Sequence, residues 1–205
     1  MKKTTIAMMA LIGAGAIGAQ ADIITNNVEA ANRAGEVRAF TTDVSGLPYP
    51  DAGTVLNTSN FRVGEYRNST AGESWLSRPV VKFRYNQDDL GISNGGSDIV
   101  SAKLRLYVLD GNFNRLNASG DGSAVELYYS TAVSTGNGIA NTDFNAASYA
   151  LLGDMGFSST TTDGAWYEID VTSVVKADMD ADGASAATAG SVFRMQLNND
   201  LSLTP

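Results

Sequence analysis

From residue 36 to residue 197 the chain repeats one pattern: short runs in which apolar and polar side chains alternate, closed by Gly, Asn, Asp or Ser. Alternation at period two sends successive side chains to opposite faces of an extended strand, and the small polar residues supply the turns between strands. The pattern predicts strands over 36–42, 60–66, 78–85, 99–109, 124–130, 165–171 and 191–197. It is clearest over 102–108, where Ala102, Leu104, Leu106 and Val108 share one face while Lys103, Arg105 and Tyr107 share the other. Val81, Phe83 and Tyr85 oppose Lys82 and Arg84 in the same way, and Phe193, Met195 and Leu197 oppose Arg194 and Gln196. Each such strand is expected to have one face in a core and the other in water, which makes an all-β sandwich or barrel of antiparallel strands. Two stretches depart from the pattern. Residues 143–152 suit a helical turn, and 172–179 suit a short helix with Val174 and Val175 inward.

The first residues read differently. Lys2 and Lys3 precede an apolar run over 6–16, and Ala19-Gln20-Ala21 provides small residues around a cleavage point. Residues 1–21 are therefore expected to be a signal peptide, leaving 22–205 as one domain, with no repeat or linker to divide it. The run is about half the ~20 residues that a membrane span needs. It also contains Gly13-Ala14-Gly15-Ala16-Ile17-Gly18, which has the spacing of a dinucleotide-binding fingerprint. That fingerprint works only between a strand and a helix of a βαβ unit, so a segment removed on export does not use it.

Loss of Lys2 and Lys3 reduces the 14 basic residues to 12 against 22 acidic ones, a formal charge of −10. Nucleic acid and anionic membrane are bound chiefly through Lys and Arg, so neither is an expected partner. The sequence contains no Cys and no His. It thus offers no disulfide, no lipoprotein cysteine, no Ser-His-Asp or Cys-His nucleophile and no usual zinc site.

Several strand phrases resemble those of the DNRLRE domain family of secreted proteins. They are Phe61-Arg62-Val63-Gly64, Arg78-Pro79-Val80-Val81-Lys82-Phe83 and Ile99-Val100-Ser101-Ala102-Lys103-Leu104-Arg105-Leu106-Tyr107-Val108. Trp166-Tyr167-Glu168-Ile169-Asp170-Val171-Thr172-Ser173-Val174-Val175 and Val192-Phe193-Arg194-Met195-Gln196-Leu197 continue the series. The resemblance implies a jelly-roll β-sandwich similar to carbohydrate-binding modules, with adhesion to polysaccharide rather than chemistry as its task. Residues 84–91 match the family's phrase only loosely. The sequence ends at Pro205, where family members continue into a closing strand, so the resemblance also implies a truncated product or an open C-terminal edge that invites strand addition from a partner.

Within an acidic protein, Arg62, Lys82, Arg84, Lys103 and Arg105 fall in three predicted strands. If those strands are neighbours, the cations form a stripe suited to the carboxylates or sulfates of an acidic glycan, with Tyr107 placed to stack on a sugar ring. A solvated sheet face finished with long charged side chains would read the same way. Trp166 alternates with Glu168 and Asp170 and so falls on a polar face, Tyr128 pairs with Glu126, and Trp75 sits in a Gly/Ser context suited to a loop tip. Asp178, Asp180 and Asp182 followed by Gly183 match the start of a calcium loop, although Ala189 stands where the bidentate carboxylate belongs. A structural calcium is the one cofactor these residues bring into question; none is required.

The expectation is therefore a secreted, non-catalytic polysaccharide-binding module. An extracellular structural or surface-layer protein is the alternative, and a polysaccharide lyase or hydrolase stands further off, its usual His being absent.

Overall fold

The structure, a computed structural model, describes residues 10–12, 24–26, 34–41, 53–56, 61–68, 72–85, 90–108, 124–130, 138–144, 148–157, 161, 164–182 and 190–198. Among them the chain is mostly antiparallel β. The strands are β1 (Ala10–Ile12), β2 (Ile24–Asn26), β3 (Ala34–Thr41), β4 (Thr54–Leu56), β5 (Gly64–Asn68), β6 (Glu73–Arg84), β7 (Lys103–Val108), β8 (Val125–Ser130), β9 (Ala150–Asp154), β10 (Ala165–Asp170) and β11 (Gly190–Leu197). One α-helix, α1 (Thr172–Asp182), and 3-10 turns at Gly95–Asp98 and Asn141–Phe144 complete the described elements. β1, within the predicted signal peptide, pairs with β2.

Seven strands form one sheet in the order β4-β3-β6-β11-β8-β9, and β5 also pairs with β6. At twelve residues β6 is long enough to organise the rest. One edge of it pairs with β3 over 74–81, while the other is shared by β5 over 73–77 and β11 over 80–84. β7 and β10 make a separate two-stranded ribbon.

The ribbon and α1 cover one face of the sheet. Leu104 and Leu106 of β7, Ile169 of β10 and Val174, Val175 and Met179 of α1 pack on Val81, Phe83, Leu127, Phe193 and Met195. Each fully buried side chain of this kind contributes about 1.5–3 kcal/mol. The start of α1 is tied to the ribbon: the Thr172 N–H donates to the Asp170 carboxylate at 2.8 Å, and Thr172 Oγ1 accepts the Ala102 N–H at 2.9 Å. The bonds from Thr172 hold the Asp170 carboxyl below its usual range. Further along, the Gly96 N–H donates to Asp180 Oδ1 at 2.7 Å. A Cβ at Gly96 would stand 2.4 Å from the Lys176 carbonyl oxygen, so glycine is what lets turn and helix touch.

The opposite face of the sheet departs from the sequence pattern. Lys82, Arg194 and Gln196, expected in water, are buried, as is Arg78. A second core lies there, made by Val37, Ala39, Leu76, Val80 and Val192 of the sheet with Phe144 and Tyr149 laid across them. The 3-10 turn ending at Phe144 has terminal carbonyls that need donors from outside the turn. Arg78 Nη1 reaches the Phe144 carbonyl at 2.6 Å, Arg194 Nη1 reaches it at 3.0 Å, and Lys82 Nζ reaches the Gly138 carbonyl at 3.2 Å. The guanidiniums also lie over rings, Arg78 at 4.2 Å from the Phe144 centroid and Arg194 at 4.1 Å from that of Tyr149. Alternation along β6 and β11 is thus real, but its polar half faces a covering segment.

Other differences are local. The helical turn expected over 143–152 is confined to Asn141–Phe144, and Ala150–Asp154 is a strand instead. β4 and β9, too short or too irregular to show period-two alternation, lie at the sheet's edges. β11, the last of the described strands, is interior, between β6 and β8. Residues 109–123, 131–137 and 199–205 lie outside the described residues. Among the described residues no helix is long and apolar enough to cross a membrane.

Candidate functional site

The ribbon's outer face gathers four of the sequence-predicted residues. Leu104, Leu106 and Ile169 are taken by the core, so the alternate positions of β7 and β10 face away from it. The antiparallel register then sets Tyr107 opposite Trp166, Arg105 opposite Glu168 and Lys103 opposite Asp170. Trp166 is 40% exposed. The Tyr107 ring meets it edge to face at 5.2 Å, and the Arg105 guanidinium lies 4.9 Å from the Trp166 centroid. The indole is held by two neighbours while part of its surface stays in solvent.

The electrostatics of this face are balanced. Lys103 Nζ donates to Glu168 Oε2 at 2.8 Å, and Arg105 Nε stands 3.0 Å from Glu168 Oε1. The bond from Lys103 holds the Glu168 carboxyl below its usual range, and the charges of Lys103 and Arg105 act in the same direction. Two cations facing Glu168 and Asp170 are not the bare basic stripe that the sequence implied. Exposed pairs like these add little stability, but they fix the orientation of the arginine over the tryptophan.

The other predicted cations lie elsewhere because β6 belongs to the large sheet and β7 to the ribbon. Lys82 is buried against Asp143, and Arg84 is exposed at the end of β6. Arg62 is exposed beside β3, where its backbone N–H donates to Glu36 Oε2 at 3.2 Å. Trp75 is half-buried within β6 rather than at a loop tip, next to Phe40 and Arg38. Tyr128 is half-buried, and its hydroxyl donates to Glu126 at 2.7 Å.

Asp178, Asp180 and Asp182, the start of the expected calcium loop, lie in the last turns of α1, while its remaining positions, 183–189, lie outside the described residues. Residues two apart on a helix point in different directions, so alternate carboxylates there do not converge. Asp178 is buried and accepts the Ser191 hydroxyl at 2.6 Å, whereas Asp180 is exposed and accepts the Gly96 N–H. Asp182 is the last residue of α1. Among the described residues no three acidic side chains gather as metal ligands.

Arg38 and Phe40 were not singled out in the sequence. Nor was the pairing role of Glu168 and Asp170, although Lys103-x-Arg105 and Glu168-x-Asp170 carry opposite charge at the same spacing, as facing antiparallel strands favour. Comparisons with family models, with curated proteins and with solved structures return no match.

Proposed function

We propose that this chain is an exported, non-catalytic polysaccharide-binding module, built as a jelly-roll β-sandwich like that implied by the DNRLRE resemblance and delivered by cleavage near Ala21. The observation that carries the reading is the exposed Trp166, met edge to face by Tyr107 and lying beside the Arg105 guanidinium on the ribbon's outer face. A planar ring held in place offers an apolar surface to the C–H face of a pyranose, and the charged groups beside it are hydrogen-bonding partners for sugar hydroxyls. With carboxylates matching cations, this face suits a neutral sugar. Absence of His and Cys from the sequence supports the non-catalytic reading.

Retention of the full chain on immobilised neutral polysaccharides is the test. Tyr107→Ala/Trp166→Ala is expected to weaken retention about tenfold, the order of magnitude of two lost ring contacts. Retention equal to the parent chain would remove the ribbon from the binding role. Concentration-dependent assembly without any glycan retention would favour a structural protein instead.

A further inference from the structure

Lys82 stands on β6 and Asp143 in the 3-10 turn Asn141–Phe144, far apart in sequence. The fold brings Lys82 Nζ to 3.0 Å from Asp143 Oδ2, with both side chains almost wholly buried. An amine and a carboxyl are the two halves of an amide, and in solvent their charges keep them from joining. Here the surroundings are those of a core: Val80, Val192, Phe144 and Tyr149 are buried, and Tyr128 and Ile139 pack against them. A water-poor setting disfavours charge on such groups relative to solvent, and the neutral amine and neutral carboxylic acid are the forms that condense.

The contacts of the pair hold it in a reactive arrangement. With the oxygen at 3.0 Å, the carboxyl carbon is no more than one bond further from Nζ. The flexible stem of a lysine covers the difference to an attacking distance of ~3–3.5 Å. Lys82 Nζ also donates to the Gly138 carbonyl at 3.2 Å, which anchors the amine over the turn. The Ala140 N–H donates to Asp143 Oδ2 at 3.0 Å, where it faces an oxygen that gathers negative charge as nitrogen adds to the carbon. The Tyr149 hydroxyl is buried and has no hydrogen-bond partner among the described residues; burial and then the Asp143 charge raise its phenol, so it lies within the field of that carboxylate. An unpartnered hydroxyl in that place is a hydrogen-bonding site for the water that amide formation releases.

From this juxtaposition we infer that Lys82 and Asp143 are a cross-linking site, at which the ion pair condenses into an intramolecular amide between β6 and the 138–144 segment. The ammonium proton passes to the carboxylate along the 3.0 Å contact, and the neutral Nζ adds to Cγ. An N–C bond forms as a C–O bond breaks, and the hydroxyl leaves with a second amine proton as water. The step needs no oxidant and no third reactant. Because a proton must move first, the newly folded chain holds the ion pair and the amide accumulates from it. In a chain without cysteine the bond takes the place of a disulfide, closing the loop between two distant segments and tying the covering segment to the sheet.

The experiment is intact-mass spectrometry of the purified full chain, at once and after several days at neutral pH. The parent chain is expected to end one water lighter than its sequence, and its tryptic digest to yield a branched peptide that joins the fragments of Lys82 and Asp143. Lys82→Arg keeps the positive charge but presents a guanidinium that stays protonated, so it is expected to hold the mass of its sequence throughout. A parent chain that keeps its full mass, or that loses water without the branched peptide, overturns the cross-link, as does an equal loss from Lys82→Arg. Should Lys82→Arg fail to fold, the presence or absence of the branched peptide in the parent chain decides the matter by itself.

Discussion

Lys82 Nζ lies 3.0 Å from Asp143 Oδ2, and both side chains are almost wholly buried, at 2% and 6% exposure. The lysine also donates to the Gly138 carbonyl, and the carboxylate accepts the Ala140 N–H at 3.0 Å, so each charge has a further partner. The pair fastens the 138–144 segment to the sheet's second face.

Breaking that pair from one side is costly because it strands a charge in a low-dielectric setting. Lys82→Met is expected to lower unfolding stability by about 3–5 kcal/mol, and adding Asp143→Leu to recover most of it. Urea denaturation checks both. A single variant within about 0.5 kcal/mol of the parent chain would show that the pair does not fasten the segment.

Gly190 opens β11 at a φ of 147°, and a Cβ there would fall 1.9 Å from the Phe83 carbonyl oxygen, inside the β6–β11 ladder. Gly190→Ala is expected to cost about 2–4 kcal/mol by forcing the two central strands apart. Gly153→Ala serves as the control, because nothing lies within 4 Å of its added methyl. It is expected to change stability by no more than about 0.5 kcal/mol in the same thermal or urea measurements.

Acid should weaken the ribbon through Glu168, whose carboxyl is held down chiefly by the Lys103 hydrogen bond. A depressed carboxyl pKa means that the folded state binds its proton less readily than the unfolded one. The stabilisation is present above the unfolded value of 4.5 and is lost as pH falls through the lower folded value. Melting temperature followed from about pH 6 to about pH 3 is expected to fall less steeply in Glu168→Gln than in the parent chain. Parallel curves would deny the carboxylate that role; the effect is small, as Glu168 is exposed.

At alkaline pH Tyr85 and Tyr149 should resist ionisation. Burial raises the Tyr85 phenol far above its ordinary value, against the hydrogen bond with Ser191, and the nearby Asp178 adds to the rise. Burial and then Asp143 raise Tyr149, against the nearby Arg194. Both are expected to ionise only when the chain unfolds, as a late cooperative step in the near-ultraviolet absorbance. Tyr85→Phe should remove about half of that step's amplitude, and its absence from the parent chain would contradict the burial of both rings.

What could be read without the structure followed from local rules. Period-two alternation located the main strands because a half-buried sheet imposes that period on side chains directly. The run from Thr172, with Val174 and Val175 inward, announced α1 for the same reason at a helical period. The outward placement of Lys103, Arg105, Tyr107 and Trp166 needed nothing beyond the parity of their strands.

Which polar face meets water is not a property of a strand by itself. Lys82 and Lys103 have the same sequence signature, yet a covering segment with exposed carbonyls buries one while the ribbon leaves the other outside. Tertiary packing also parted the basic residues between two sheets, balanced the ribbon's charges through the β7–β10 register, and brought Arg38, Phe40 and Trp75 together from two strands. The sequence by itself determined the strand periodicity, the acidic charge and the lack of His and Cys, because these depend on residue identity and spacing alone. Long-range strand pairing decided which of these side chains meet, since a contact between strands depends on the partner and its register, neither of which is written in the strand that carries the residue.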